Sequence, residues 1–279
     1  MPSGTLPLRL TACRHLLPPP GRWTASDDDR ATVTRHYEEM LALYGVPVPF
    51  ANLAAETRTP YGDLAAAALD PERDAADLLM VACSTPDYDA RRSPTSELAG
   101  LLGDRPLPYL VCDEGTVAAF TALRLAGLHD VDRTLLLVME QGGITPAAPV
   151  PEAAAVERDS VVVLALARSQ GTAGMRTCRL TGIAPERLGD AFAVAVKEVV
   201  PGGEPYTVVL GAGLSGLEHI GAAGVVRARP GLGGTGVWAA LAEHAPALRG
   251  PAGQVVLAEY EARHGFLALA ALPAGELPA

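Results

Sequence analysis

PYLVCDEGTVAAFTALRLA, residues 108–126, decides how the rest of the chain is read. Tyr109–Cys112 is a short apolar run with β character, Asp113-Glu114-Gly115 is a turn, and an Ala-rich helix begins at or near Thr116. A strand that stops abruptly at a helix N-terminus is where α/β enzymes place a nucleophile, because free N–H groups and the positive dipole end stabilise an anion there. The residue at this elbow is Thr116, whose hydroxyl has no adjacent base in the sequence. A helix-cap or first-turn role for Thr116 stands beside an acyl-carrying one. Cys112 lies just before the elbow on the strand, as a buried structural thiol or a nucleophile, and Asp113 and Glu114 oppose its ionisation.

Outward from the elbow, apolar runs of strand length alternate with helical patterns. Upstream, DLLMVAC (Asp77–Cys83) is an unbroken apolar run, the mark of a parallel strand buried on both faces. Tyr61–Leu69 and Ser96–Leu102 read as short helices, Arg30–Tyr44 as a longer one capped by Asp29, and Leu6–Cys13 as a first strand. Downstream, TLLLVME (Thr134–Glu140) is another buried strand, and Gly142–Ala155 is a Pro- and Ala-rich connector. A second series follows, with strands at Asp159–Ala167, Tyr206–Leu210 and Val225–Ala228. It also has helices at Gly189–Val200 and Val237–His244, and a closing pair of strands at Gln254–Glu259 and Phe266–Leu272. DLLMVAC matches YTVVLGAG, the Thr116 turn and helix match GLGGTGVWAALAEH, and TLLLVME matches QVVLAEY, at an offset of about 120 to 130 residues. The expectation is two similar α/β halves, residues 1–155 and 156–279, with a site where the carboxyl ends of their strands face each other.

Composition narrows the function. The chain has 279 residues, 49% of them hydrophobic, enough for a full-sized core. A net charge of −10 argues against a nucleic-acid partner, which needs a basic surface. Cys13, Cys83, Cys112 and Cys178 are widely spaced with no CxxC pair, so neither a metal site nor a disulfide framework is expected. With no membrane span or signal peptide in view, a soluble cytoplasmic protein is expected. Gly211-x-Gly213-x-x-Gly216 follows a strand like a dinucleotide fingerprint, but the room for a helix is short and Arg227-Ala228-Arg229 stands where an acid should meet the ribose. No cofactor is expected.

ADLLMVACSTPDY (residues 76–88) resembles the ketosynthase III stretch "D-L-I-V-V-A-T-S-T-P-D", which in that family precedes the nucleophile strand as it does here. PYLVCDEGTVAAFTAL is similar to the family's nucleophile strand, elbow and helix. GDAFAVAVKEVV resembles the helix before its histidine motif, and GPAGQVVLAEYEARHGFLALAAL its final hairpin. The resemblance covers most of the chain and implies the thiolase-like α/β fold, two similar halves in an αβαβα stack, usually dimeric. It also implies a Cys–His–Asn set in which cysteine takes an acyl group while histidine and asparagine assist decarboxylation of a malonyl group on acyl carrier protein. In this sequence the cysteine position is Thr116, the histidine position Gly211, and the asparagine position falls within Gly231–Thr235, at Gly234. The only asparagine, Asn52, lies far upstream, and Arg263 and His264 stand where glycines normally line the pocket.

Three functions follow from the resemblance. The leading one is a degenerate, non-condensing subunit that pairs with an active ketosynthase III-like chain in fatty-acid or polyketide-type biosynthesis, with acyl carrier protein docking on that partner. A second is an acyltransferase or thioester hydrolase reusing the pocket through Thr116 and His264. A third is an acyl-binding or regulatory homodimer. His36, His219 and His244 sit on helix surfaces with no expected role.

Overall fold

The computed structural model describes residues 3–19, 26–42, 45, 59–87, 89, 91–112, 114–142, 152–169, 174–218, 220–250 and 253–278. Asn52, Asp113, His219 and most of the 142–155 connector lie outside the described residues.

The buried runs form the strands they encode. β3 (Leu78–Cys83), β4 (Leu107–Val111) and β5 (Arg133–Glu140) are parallel, and β6 (Ser160–Arg168) and β2 (Leu8–Leu16) extend the sheet antiparallel, in the order β2-β6-β5-β3-β4. The second sheet repeats this plan. β8 (Tyr206–Leu210), β9 (Gly224–Arg227) and β10 (Gln254–Glu261) are parallel, β11 (Phe266–Pro273) and β7 (Met175–Leu180) are antiparallel, and β1 (Ser3–Leu6) is added at the edge. The expected closing pair is β10–β11.

Helix α4 (Ala118–Ala126) and helix α6 (Gly236–Leu248) lie between the sheets, where Phe120 and Trp238 meet at 5.0 Å in a tilted ring pair. Helices α2 (Tyr61–Ala68) and α3 (Pro94–Leu101) cover the outer face of the first sheet, and α5 (Leu188–Val199) that of the second. The stack is αβαβα. Helix α1 (Asp27–Ala42) is capped by Ser26 rather than Asp29: the Asp29 N–H donates to Ser26 Oγ (3.1 Å), whose hydroxyl donates back to the Asp29 carboxylate (2.7 Å).

The sheets do not divide the chain at residue 155. β6 completes the first sheet, although it lies beyond that point, and β1 belongs to the second. The run expected as one strand over Leu6–Cys13 breaks at Pro7, which has no N–H to give to a ladder, and its two pieces go to different sheets.

Candidate active site

Strand alternation aims one side chain in two at the middle layer. On β5 the inward set runs Leu136, Val138, Glu140, and on β10 it runs Val255, Leu257, Glu259, Glu261. Beside them the same alternation brings Ser84 inward after Ala82 and Gly211 after Val209. Three carboxylates therefore converge at the carboxyl ends of the central strands, with Glu140 only 1% exposed and Glu259 and Glu261 fully buried.

Each has defined partners. Glu140 accepts from the Gly234 N–H (2.9 Å) and from the Ser84 hydroxyl (2.5 Å). Glu261 accepts from the Thr116 N–H (3.0 Å) and from Arg263, through its backbone N–H (3.1 Å) and its Nε (2.9 Å). Glu259 Oε1 accepts from the N–H groups of Gly213 (3.0 Å) and Tyr260 (2.9 Å), while its Oε2 has no hydrogen-bond partner among the described residues. The arrangement is crosswise. An acid of the first sheet holds the turn that starts α6, and an acid of the second sheet holds the turn that starts α4. A carboxylate is favoured at such helix starts by their free N–H groups.

Burial separates the three acids. It pushes Glu140 up to about 7, against the hydrogen bonds of Ser84 and Gly234 and the charge of Arg263. Glu259 is pushed up to about 8 by burial, with the neighbouring Glu261 charge acting in the same direction. Burial also works on Glu261, but the Arg263 guanidinium and the Thr116 N–H outweigh it and hold this carboxyl below its ordinary range. At neutral pH Glu261 is an anion paired with Arg263, and Glu259 holds its proton. Among the described residues no group of three or more acids, histidines or cysteines is arranged to hold a metal ion.

Thr116 is buried at the elbow, in the turn Gly115–Val117 that leads into α4, and its Oγ1 has no hydrogen-bond partner among the described residues. His264 does not meet it. The imidazole is exposed at the tip of the β10–β11 hairpin and stacks on Phe266 at 5.4 Å. Cys112 packs against the outer core of the first sheet, on the side away from α4, and none of the four cysteines forms a disulfide among the described residues. Glu114, beside the elbow, is paired with Arg179 (3.0 Å). His36 and His244 are exposed.

Gly211 and Gly234, the positions expected for histidine and asparagine, border the carboxylates. A Cβ on Gly211 would stand 1.9 Å from Glu259 Oε2, and one on Gly234 would stand 2.8 Å from Glu140 Oε1 and 3.4 Å from the Thr116 Cα. The Gly211–Gly216 segment opens no long helix; a single short turn, Ala212–Leu214, follows β8. Ser84, Glu140, Glu259 and Glu261 are the site residues that pattern reading passed over. Their signal is an acid where a long apolar strand ends, as in TLLLVME and QVVLAEYE.

No protein-family model matches the chain, and no curated protein sequence does. Solved structures do. AbyA1, a tetronic acid condensing enzyme, superposes with a TM-score of 0.61 at 14% identity over 95% of this chain and 99% of that one. A 3-oxoacyl-(acyl-carrier protein) synthase from Burkholderia xenovorans LB400 gives 0.59 at 15% identity over 98% and 95%. ChlB3, an acyltransferase, gives 0.57 at 16% identity over 96% and 99%. The chain thus has the thiolase-like fold of ketosynthase III-type proteins, over nearly its whole length.

Proposed function

We propose that this chain is a non-condensing, ketosynthase III-like subunit that pairs with an active ketosynthase III-type partner in cytoplasmic fatty-acid or polyketide-type biosynthesis. The observation that carries the reading is the burial of Glu140, Glu259 and Glu261 together at the carboxyl ends of the central strands of the two sheets. Decarboxylative condensation brings in an anionic malonyl group and develops an enolate, which needs hydrogen-bond donors and positive potential. Glu261, ionised at neutral pH, supplies neither and repels both the substrate and the enolate. Thr116, Gly211 and Gly234, at the positions the resemblance assigns to cysteine, histidine and asparagine, offer no thiolate and no imidazole to compensate.

Pairing is supported by strand β4. It is an edge strand with no partner on its outer side among the described residues, and it exposes Leu107, Tyr109 and Leu110. An exposed apolar edge is a ready template for another chain. Acyl carrier protein, itself acidic, would dock on the partner rather than on this chain of net charge −10.

The test is co-expression with ketosynthase III-type chains encoded beside it, followed by affinity purification and native mass spectrometry. A one-to-one complex is the expected result. A stable homodimer that ignores every such partner would overturn the reading.

A further inference from the structure

The residues at the cleft include a hydroxyl and a base already in contact. The Ser84 hydroxyl donates to Glu140 Oε2 at 2.5 Å, at the carboxyl end of β3, where α/β sheets present reactive groups. The base is oriented by a third group, because the Gly234 N–H holds the other oxygen of Glu140 at 2.9 Å. Nucleophile, base and orienting donor in series are the arrangement that activates a serine. Ser84 is partly exposed while Glu140 is buried. Other hydroxyls in the region lack one part of this set. Thr116 has no base, and Ser160, 3.2 Å from His15 Nε2, is fully buried.

We propose that Ser84 and Glu140 form a nucleophile–base pair through which the chain accepts an acyl group from a thioester, independently of the elbow. Ser84 Oγ attacks the thioester carbonyl carbon while its proton passes to Glu140. The carbon–sulfur bond then breaks, and the proton leaves with the thiolate. The products are a Ser84 ester and a free thiol, with no other reactant. The thioester as donor rests on the reading given above; the pair itself rests on its geometry. Burial also places Glu140 near the proton affinity a general base needs at neutral pH.

The experiment incubates the purified chain with acetyl- and octanoyl-N-acetylcysteamine and follows intact mass and peptide maps. The expected result is one acyl group on the peptide that carries Ser84, absent from Ser84→Ala and formed about 100-fold more slowly by Glu140→Gln. Ser84→Cys guards against a folding defect and should take the acyl group as a thioester released by neutral hydroxylamine. No adduct from either probe, or an adduct that persists in Ser84→Ala, would overturn the proposal. Partner binding is scored separately by co-purification. A paired chain without a Ser84 adduct sinks this inference alone, and an acylated chain that binds no partner sinks only the subunit reading.

Discussion

Glu259 shows how a single buried group couples this site to stability. Its carboxyl ionises near 4.5 when exposed, but burial pushes it up to about 8 in the fold. The native state therefore holds a proton that the unfolded chain has already released over that interval. A raised folded-state value gives stability that is full below 4.5 and is lost as pH climbs through about 8. Glu140 acts in the same direction up to about 7, whereas Glu261, held low, gives stability that is lost as pH falls through its folded value. Glu259→Gln keeps an acceptor for the Gly213 and Tyr260 N–H groups and cannot ionise. The expected outcome, read by urea unfolding, is little difference from wild type at pH 5 and a gain on the order of 3–5 kcal/mol by pH 9. A gain at pH 5 that vanishes at pH 9 would reverse the assignment.

At the level of elements, the turns after β8 and before α6 are shaped by the acids they receive. The glycines of the apparent fingerprint give a contrast. A Cβ on Gly213 would lie 1.9 Å from the Tyr260 carbonyl oxygen, a backbone atom that cannot swing away, whereas one on Gly216 meets nothing within 4 Å. Gly213→Ala should cost about 1–3 kcal/mol in thermal or denaturant unfolding, and Gly216→Ala less than about 0.5. A dinucleotide fingerprint would need both. The central strands were legible because parallel strands buried on both faces leave unbroken apolar runs, as in Leu78–Cys83 and Arg133–Glu140. β7, Met175–Leu180, was not: two arginines interrupt it, and only its pairing with β1 and β11 makes it a strand. The membership of β6 in the first sheet is likewise a matter of pairing that no local pattern carries. The acids at the site had a signal, an inward position at a strand end, but their meaning appears only when the strands of both sheets are brought together.

At the scale of the whole molecule, two copies of one topology face each other across α4 and α6, and acids from both sheets are buried at the seam between them. The crosswise bonds from Glu140 to Gly234 and from Thr116 to Glu261 tie each sheet to the helix start of the other half. No described helix is long and apolar enough to cross a membrane. Among the described residues β4 ends the first sheet, with Leu107, Tyr109 and Leu110 exposed. The central claim, that this chain contributes no condensation chemistry to such a pair, is tested most directly by a condensation assay. It is run on the co-purified complex after the partner's nucleophilic cysteine has been replaced by alanine. Complete loss of 3-oxoacyl product is the result expected, and product that persists and depends on this chain would contradict the account.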